Sequence, residues 1–404
     1  MADMDMGIST QQPKKNPNKK KKKKKKQNLF MSIVTGLIPW KGDSVTEIFR
    51  KIIFLASLII LVVALILIAN HFITTLQDPN AIEGGTTSDT GEDQAQSYII
   101  DLKNQSPTQA QIDQMPEGTL NDEYAALYDA NNDFVGWISI AGTNVDYPVL
   151  QSHNKDEFKP CNTYEKLGYC SFCESIMAGK DSATEFYLHH DFDRNYLFAG
   201  NIFADYEGMF GPDKMPNNTI LYGHNMLYKY QFSALNNYRN NIEFLKSSPV
   251  IDFNTLYNNN KYKIFSVFLT NTSESLGEVF DYYNYVSFEN SDEFYHYVKE
   301  CLDRSLYETG VDLEYGDELI TLSTCDQSLG FPENVRLIVV ARKVRENESP
   351  EVDTSKIVRK KSIKYFEAYI TAYGDKWKGR TWDVSLVNGM AEYLKKHGLE
   401  DPAE

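Results

Sequence analysis

From Ile52 to Ala69 the chain runs 18 residues with Ser57 as the one polar side chain, and no formal charge follows until Asp78. At 1.5 Å per residue that stretch nearly covers the hydrocarbon core of a bilayer, and Phe72 and Ile73 can extend it. A secretory signal peptide has a shorter apolar region and a small-x-small cleavage site, which is not evident here. The sequence therefore predicts one uncleaved transmembrane helix over residues 52–73, and the rest of the chain must be arranged around it.

Flanking charge sets the sidedness. Residues 1–51 carry 13 Lys and Arg, including the block Lys19 to Lys26, against four acids, a net of +9. Positive residues stay inside, which predicts a basic cytoplasmic tail 1–51 and a single-pass protein of the cell membrane with everything after about residue 76 extracellular. The net charge of the whole chain is -15, so the remainder carries -24. Such acidity argues against nucleic acid as a partner. The lysine block reads as a solvated tail that enforces topology and touches anionic lipid. Apolar residues at 42% and aromatics at 13% suffice for a sizeable core. Five cysteines are too few for a disulfide scaffold, and the odd number leaves at least one thiol unpaired in a monomer.

Residues 74–120 are rich in Gly, Thr, Ser, Asp, Gln and Asn and read as an extracellular stalk, turning helical toward Tyr98 to Lys103. The folded domain is expected from 121 to 345, with a C-terminal extension 346–404 of unassigned role. Helical spacing marks Glu123 to Ala130, Phe232 to Leu245 and Glu293 to Leu306, and in the extension Val387 to Lys396. Strands are expected at Phe134 to Ile140, Val145 to Val149, Gly200 to Phe203, Thr219 to Tyr222, Tyr262 to Leu269, Leu319 to Thr324 and Val335 to Val344. Short strands dominate without strict alternation with helices. That pattern predicts a mainly β barrel or sandwich with accessory helices.

A Gly-rich phosphate loop, a His-Glu-x-x-His pair and a Gly-x-Ser-x-Gly elbow are all missing. Three residues stand in settings that suit chemistry. Cys325 ends the run Leu319 to Cys325, where Thr321, Ser323 and Cys325 share one polar face, better suited to a cleft than a core, although a buried inert thiol is the commoner fate of a cysteine. Arg336 opens the next run. If the two strands pair antiparallel, it lies beside Cys325 and becomes a candidate oxyanion partner, where a lone Arg at a strand start is more often a solvated edge residue. His224 follows Thr219 to Gly223, an apolar run closed by a glycine, which puts its ring at a strand end.

This combination resembles the sortases, membrane-anchored cysteine transpeptidases of Gram-positive bacteria, and among them class B. The carrying motifs are Thr321-Leu322-Ser323-Thr324-Cys325, Leu221-Tyr222-Gly223-His224 and Val335-Arg336. Support comes from Val135 to Ile138, Gly142 to Val149 and Gly200 to Tyr206, and the helix Glu293 to Leu306 points to class B. The resemblance implies an eight-stranded sortase-type β-barrel and no cofactor. It implies Cys325 as nucleophile, His224 as proton donor and acceptor, and Arg336 as oxyanion or substrate-backbone donor, with Leu188, Ser323 and Asp326 as peptide contacts. The reaction implied is cleavage of a C-terminal sorting motif of secreted proteins at a Thr-x bond through a thioacyl-enzyme. The acyl group would then pass to an amine of peptidoglycan or its lipid-linked precursor.

Two features depart from the family pattern. An insertion at about 158–186 holds Cys161, Cys170 and Cys173; the Cys170-x-x-Cys173 pair suggests half a zinc site with His189 or His190, or part of a disulfide, with idle thiols as the bland reading. No clear fourth ligand is visible, so no metal is expected. The extension, with Arg359, Lys360 and Lys361, lacks the second long apolar stretch common in pilin-polymerising sortases, the alternative enzyme reading. An inactive anchored binding module is the alternative of another class, and it would not need Cys325, His224 and Arg336 together.

Overall fold

In the computed structural model, residues 38–39, 41–58, 61, 89–152, 160, 164, 168, 171–179, 182–225, 230–330, 334–374 and 376–400 are described. The chain divides into two units, residues 1–78 and 79–404. In the first, residues 45–58 are helical, and Ile52, Ile53, Phe54 and Leu58 are exposed. Among the described residues no helix is long and apolar enough to cross a membrane. Most of the expected span 52–73, and the lysine block before it, lie outside the described residues.

The second unit begins well before residue 121. Its first helix, α1 (Asp89–Asn104), covers part of the expected stalk. Ile99 on it is 5% exposed, and Lys103 lies 3.8 Å over the Trp137 ring and 3.6 Å from Asp146. Composition had suggested a polar linker, but a few apolar positions and one cation over an indole dock it on the folded unit.

After α2 (Ala125–Ala130) come β1 (Phe134–Ser139), β2 (Asp146–Gln151), a short helix α3 (Ser171–Met177), β3 (Phe203–Ala204), β4 (Asn218–Tyr222), α4 (Asn236–Asn240), α5 (Ile242–Ser247), β5 (Val250–Thr255) and β6 (Asn259–Asn271). Then follow α6 (Ser291–Arg304), β7 (Tyr307–Glu308), β8 (Leu313–Glu314), β9 (Leu319–Cys325), β10 (Val335–Lys343), β11 (Val358–Arg359), α7 (Glu367–Tyr373), β12 (Val387–Asn388) and α8 (Met390–His397). Eight strands close a barrel in the order β1-β2-β3-β4-β9-β10-β6-β5. Pairs β2–β3 and β4–β9 are parallel and the other six barrel pairs are antiparallel.

Three local expectations need correcting. Gly200 to Ile202 lie outside the strand: Gly200 has φ +56, and a Cβ there would meet the Tyr187 and Leu188 carbonyls at 2.3 Å, and the strand is Phe203–Ala204. Phe232 to Leu245 is not one helix. Asn241 leaves helical geometry at φ -138 and its side chain accepts from Glu243 N to start α5. Strand β5 was missed, although Ile251, Phe253 and Thr255 alternate inward.

The barrel interior is filled by side chains such as Ile138, Val149, Leu221, Phe253, Val267, Leu322, Leu337 and Val339. A second apolar layer covers the outside of β6, β9 and β10, where Phe268, Leu319, Ile338 and Val340 meet Phe294, Tyr297 and Val298 of α6. The extension joins this layer through Trp382, Val387, Met390 and Leu394. Strand β10 is thus buried on both faces, and its unbroken apolar run follows from that. The extension also adds strands, β11 beside β7 and β12 beside β8.

Candidate active site

The three candidate residues sit at one end of three neighbouring strands. In the β9–β10 register Cys325 faces Arg336 directly. Cross-strand partners project to the same face, so thiol and guanidinium share one side of the sheet. On the other side of β9, Tyr222 of β4 is level with Ser323. Carrying that parallel register two residues further sets His224 level with Cys325. The extension past the strand is held by hydrogen bonds: Gly223 N donates to Ser323 O at 3.2 Å, and Asn225 Nδ2 donates to Cys325 O at 2.8 Å. Adjacent strands lie about 4.8 Å apart, so the structure brings His224, Cys325 and Arg336 together.

All three are half-buried. His224 is fixed from two directions. Its backbone N donates to Gln231 Oε1 at 2.8 Å, and its Nε2 lies 2.9 Å from Leu188 O. A carbonyl only accepts, so this bond needs the proton on Nε2. The ring also lies near His189 and Phe198, at centroid distances of 5.6 and 6.0 Å. Leu188, expected as a peptide contact, reaches the site through its backbone carbonyl.

Ser323 lies on the Cys325 face of β9, but that face is no open cleft over most of its length. Residues 319–324 are all buried. The Ser323 hydroxyl bonds the Tyr282 hydroxyl at 2.7 Å, and Thr321 bonds Tyr297 at 2.6 Å. Tyrosines from α6 and from the turn before it satisfy the polar face, and water does not reach it. Only Cys325, at the strand's end, emerges. Asp326 is buried too. Its carboxylate accepts from Arg239 Nη1 at 2.7 Å and from Ser328 N at 2.8 Å, which ties the first turn after Cys325 to α4. The structure therefore places Ser323 and Asp326 beneath the site.

Tyr282 is the residue the sequence did not disclose. Burial pushes its hydroxyl up, the Ser323 hydrogen bond and then the Arg336 charge pull it down, and Cys325 as thiolate pushes it up. It thus feels both candidate groups from below. No local signal marked it, since its partner lies 41 residues away. Arg239 is more remote still, 87 residues from Asp326. Asn225 was nearer to hand, being adjacent to His224.

Around the insertion, Cys173 is buried, and Cys161 and Cys170 lie outside the described residues. His190 is buried, with Nδ1 2.7 Å from Phe186 O and its ring stacked on Phe186 at 3.8 Å. His189 Nδ1 lies 3.1 Å from Phe198 O. Among the described residues no group of three or more His, Cys, Asp or Glu is placed to hold a metal ion.

Residues 185–344 match the Sortase domain family. The chain is 30% identical over 227 residues to sortase B of Listeria monocytogenes, an alignment covering 56% of this chain and 76% of that protein. The chain belongs to the class B sortases. It is 27% identical over 222 residues to sortase B of Staphylococcus aureus, covering 55% of this chain and 74% of that one. Among solved structures, sortase B of Clostridium perfringens is similar at 27% identity and a TM-score of 0.41, covering 54% of this chain and 98% of that chain. This class B sortase is accordingly a cysteine transpeptidase built on a closed eight-stranded barrel with accessory helices.

Proposed function

We propose that Cys325, His224 and Arg336 carry out the transpeptidation. The reading rests on one observation, their alignment across three adjacent strand ends. The Cys325 thiolate attacks the carbonyl carbon of a Thr-x bond, and the carbonyl oxygen takes up negative charge beside Arg336. Fixed donors aimed at such an oxygen lower the barrier without reorganising during the reaction. The C–N bond then breaks, and imidazolium His224 gives its proton to the departing amine, leaving a thioester on Cys325. With Nε2 engaged by the Leu188 carbonyl, we assign the travelling proton to Nδ1. An incoming amine attacks the thioester, His224 takes up its proton, and the new amide leaves Cys325 as thiolate.

The first substrate in this reading is a secreted protein with a C-terminal sorting motif, and the acceptor is an amine of peptidoglycan or its lipid-linked precursor. Both lie outside a bacterial membrane. That agrees with the basic tail and the apolar stretch 52–73, which would anchor the enzyme with its catalytic domain extracellular. The test is mass spectrometry of products from a Thr-x peptide library incubated with the full-length chain and candidate amines. Amine-linked products ending in Thr, with Cys325 trapped as a thioester in single turnover, are expected. Cleavage that persists in Cys325→Ala would overturn the assignment.

A further inference from the structure

The C-terminal extension reaches the active site from outside the barrel. A ladder of tyrosines runs from Tyr365, just before α7, along the helix, with Tyr365 and Tyr369 at 4.3 Å and Tyr369 and Tyr373 at 4.6 Å between ring centroids. At its end Tyr373 Oη donates to the backbone carbonyl of Ser328 at 2.6 Å. Ser328 is three residues beyond Cys325, at most about 10 Å along the chain. At the other end of α7, Glu367 Oε2 accepts from the backbone N of Glu278 at 2.9 Å. Gly277, at φ +118, is packed so closely there that a Cβ would fall 1.6 Å from that carboxylate oxygen. The segment following Gly277 leads to Tyr282, whose hydroxyl holds Ser323 under the thiol.

Helix α7 therefore bridges two loops, residues 272–284, which carry Tyr282 under Ser323, and residues 326–330, which follow Cys325. At the start of the first loop, Thr272 N donates to Asn334 O at 2.9 Å, which carries the β6–β10 pairing one step past Asn271 and Val335. Leu276 from one loop, Leu329 from the other, and Ala368 and Tyr369 from α7 pack on the barrel core cluster. Asp326 and Arg239 anchor the start of the second loop; Tyr373 is its contact with α7.

We infer that α7 is a positioning element of the active site, in which Tyr373 and Glu367 fix the two loops beside Cys325 and so set how a peptide is held for attack. The inference rests on the assignment of Cys325 as nucleophile. Tyr373 and Glu367 touch no reacting atom. They act through the loop backbone, and their loss should raise KM for the peptide more than it lowers kcat.

The experiment uses the full-length chain and three variants. Tyr373→Phe keeps the ring ladder and removes only the hydroxyl. Glu367→Ala removes the acceptor for Glu278 N, whereas Glu367→Gln retains an oxygen that accepts the same bond. With the best-cleaved peptide of a Thr-x library, kcat/KM should fall roughly three- to tenfold in Tyr373→Phe and Glu367→Ala through KM, and Glu367→Gln should restore it. Hydrogen exchange should quicken at 326–330 in Tyr373→Phe and at 274–284 in Glu367→Ala, with the barrel strands unchanged. Unchanged KM, or equal losses in Glu367→Gln and Glu367→Ala, would overturn the inference. If the natural chain cleaves no peptide, the transpeptidase assignment of Cys325 fails separately. Iodoacetamide labelling of Cys325 then decides about α7: a rate changed at least twofold in Tyr373→Phe supports it, and an equal rate overturns it.

Discussion

The β9–β10 hairpin and the C-terminal extension reach the same region by different means. The hairpin places Cys325 opposite Arg336 by strand register, across eleven residues of chain. Apart from two short strand pairs, the extension arrives through isolated long-range contacts: Tyr373 to Ser328, Glu367 to Glu278, and Trp382 Nε1 donating to Asp303 Oδ1 at 2.8 Å. Register is a repeating constraint, so a local pattern can announce it. A single contact between residues many positions apart has no periodic trace. The difference suggests that chemistry is concentrated in the hairpin, while stability and loop geometry are drawn from the extension.

The sharpest way to break that division is at the thiols. Cys325→Ala should abolish cleavage and the thioacyl intermediate while leaving thermal unfolding nearly unchanged. Iodoacetamide mapping of the natural chain should modify Cys325 and spare Cys173 and Cys301. Both spared residues are fully buried, and burial pushes the Cys301 thiol well above its usual range. Labelling of Cys301 in the folded chain would show that the layer under α6 opens.

Arg336→Lys comes next. It keeps the charge but loses the planar fork that bonds two acceptors at once. Single-turnover acylation should fall on the order of 10²–10³-fold. An unchanged rate would return Arg336 to the status of an edge residue. Arg342 would not be a ready substitute, since it is fully buried with its guanidinium engaged by Asp312 and Glu348.

On the extension side the readout is stability. Trp382 is 5% exposed, and truncating a buried aromatic typically costs about 3–5 kcal/mol. Trp382→Ala should therefore show a large loss in denaturant unfolding, with turnover per folded molecule close to that of the natural chain. If turnover collapses while stability holds, the division between the two regions is wrong. Between the regions, Ser323→Ala strands the Tyr282 hydroxyl in a buried setting and should cost about 1–3 kcal/mol.

The smallest effect is a pH dependence. Burial pulls the Lys360 ammonium down from 10.5 to about 8, though it donates to the Leu302 carbonyl at the end of α6. The folded state then binds fewer protons than the unfolded one between about 8 and 10.5. Stability contributed by this group therefore rises with pH across that window, and the penalty is fully present below it. Lys360→Met should flatten this part of the stability profile relative to the natural chain.

The strands that carry the candidate residues were largely legible. Val335 to Val344 was expected as a strand, and β10 runs Val335–Lys343; Leu319 to Thr324 was expected, and β9 ends on Cys325 itself. Their antiparallel pairing, a condition of the sequence reading, is met by the register. The polar face of β9 was legible as polar but misread as open. Alternation reports which side chains share a face, and nothing in it says whether tyrosine hydroxyls or water will satisfy them. Phe232 to Leu245 read as one helix because its apolar spacing continues through Asn241, where capping by the Asn side chain won.

By itself the sequence determined the β-rich core, the class B sortase motifs, and the placement of a thiol, an imidazole and a guanidinium at strand ends, because each rests on periodicity or on short spacing. Only the tertiary structure decided what lies under and around them: Tyr282 beneath Ser323, Arg239 holding Asp326, the Leu188 carbonyl on His224, and α7 across two loops. Those partners are joined by closure of the barrel and docking of the extension, and a contact made by folding distant segments together leaves no pattern along the chain.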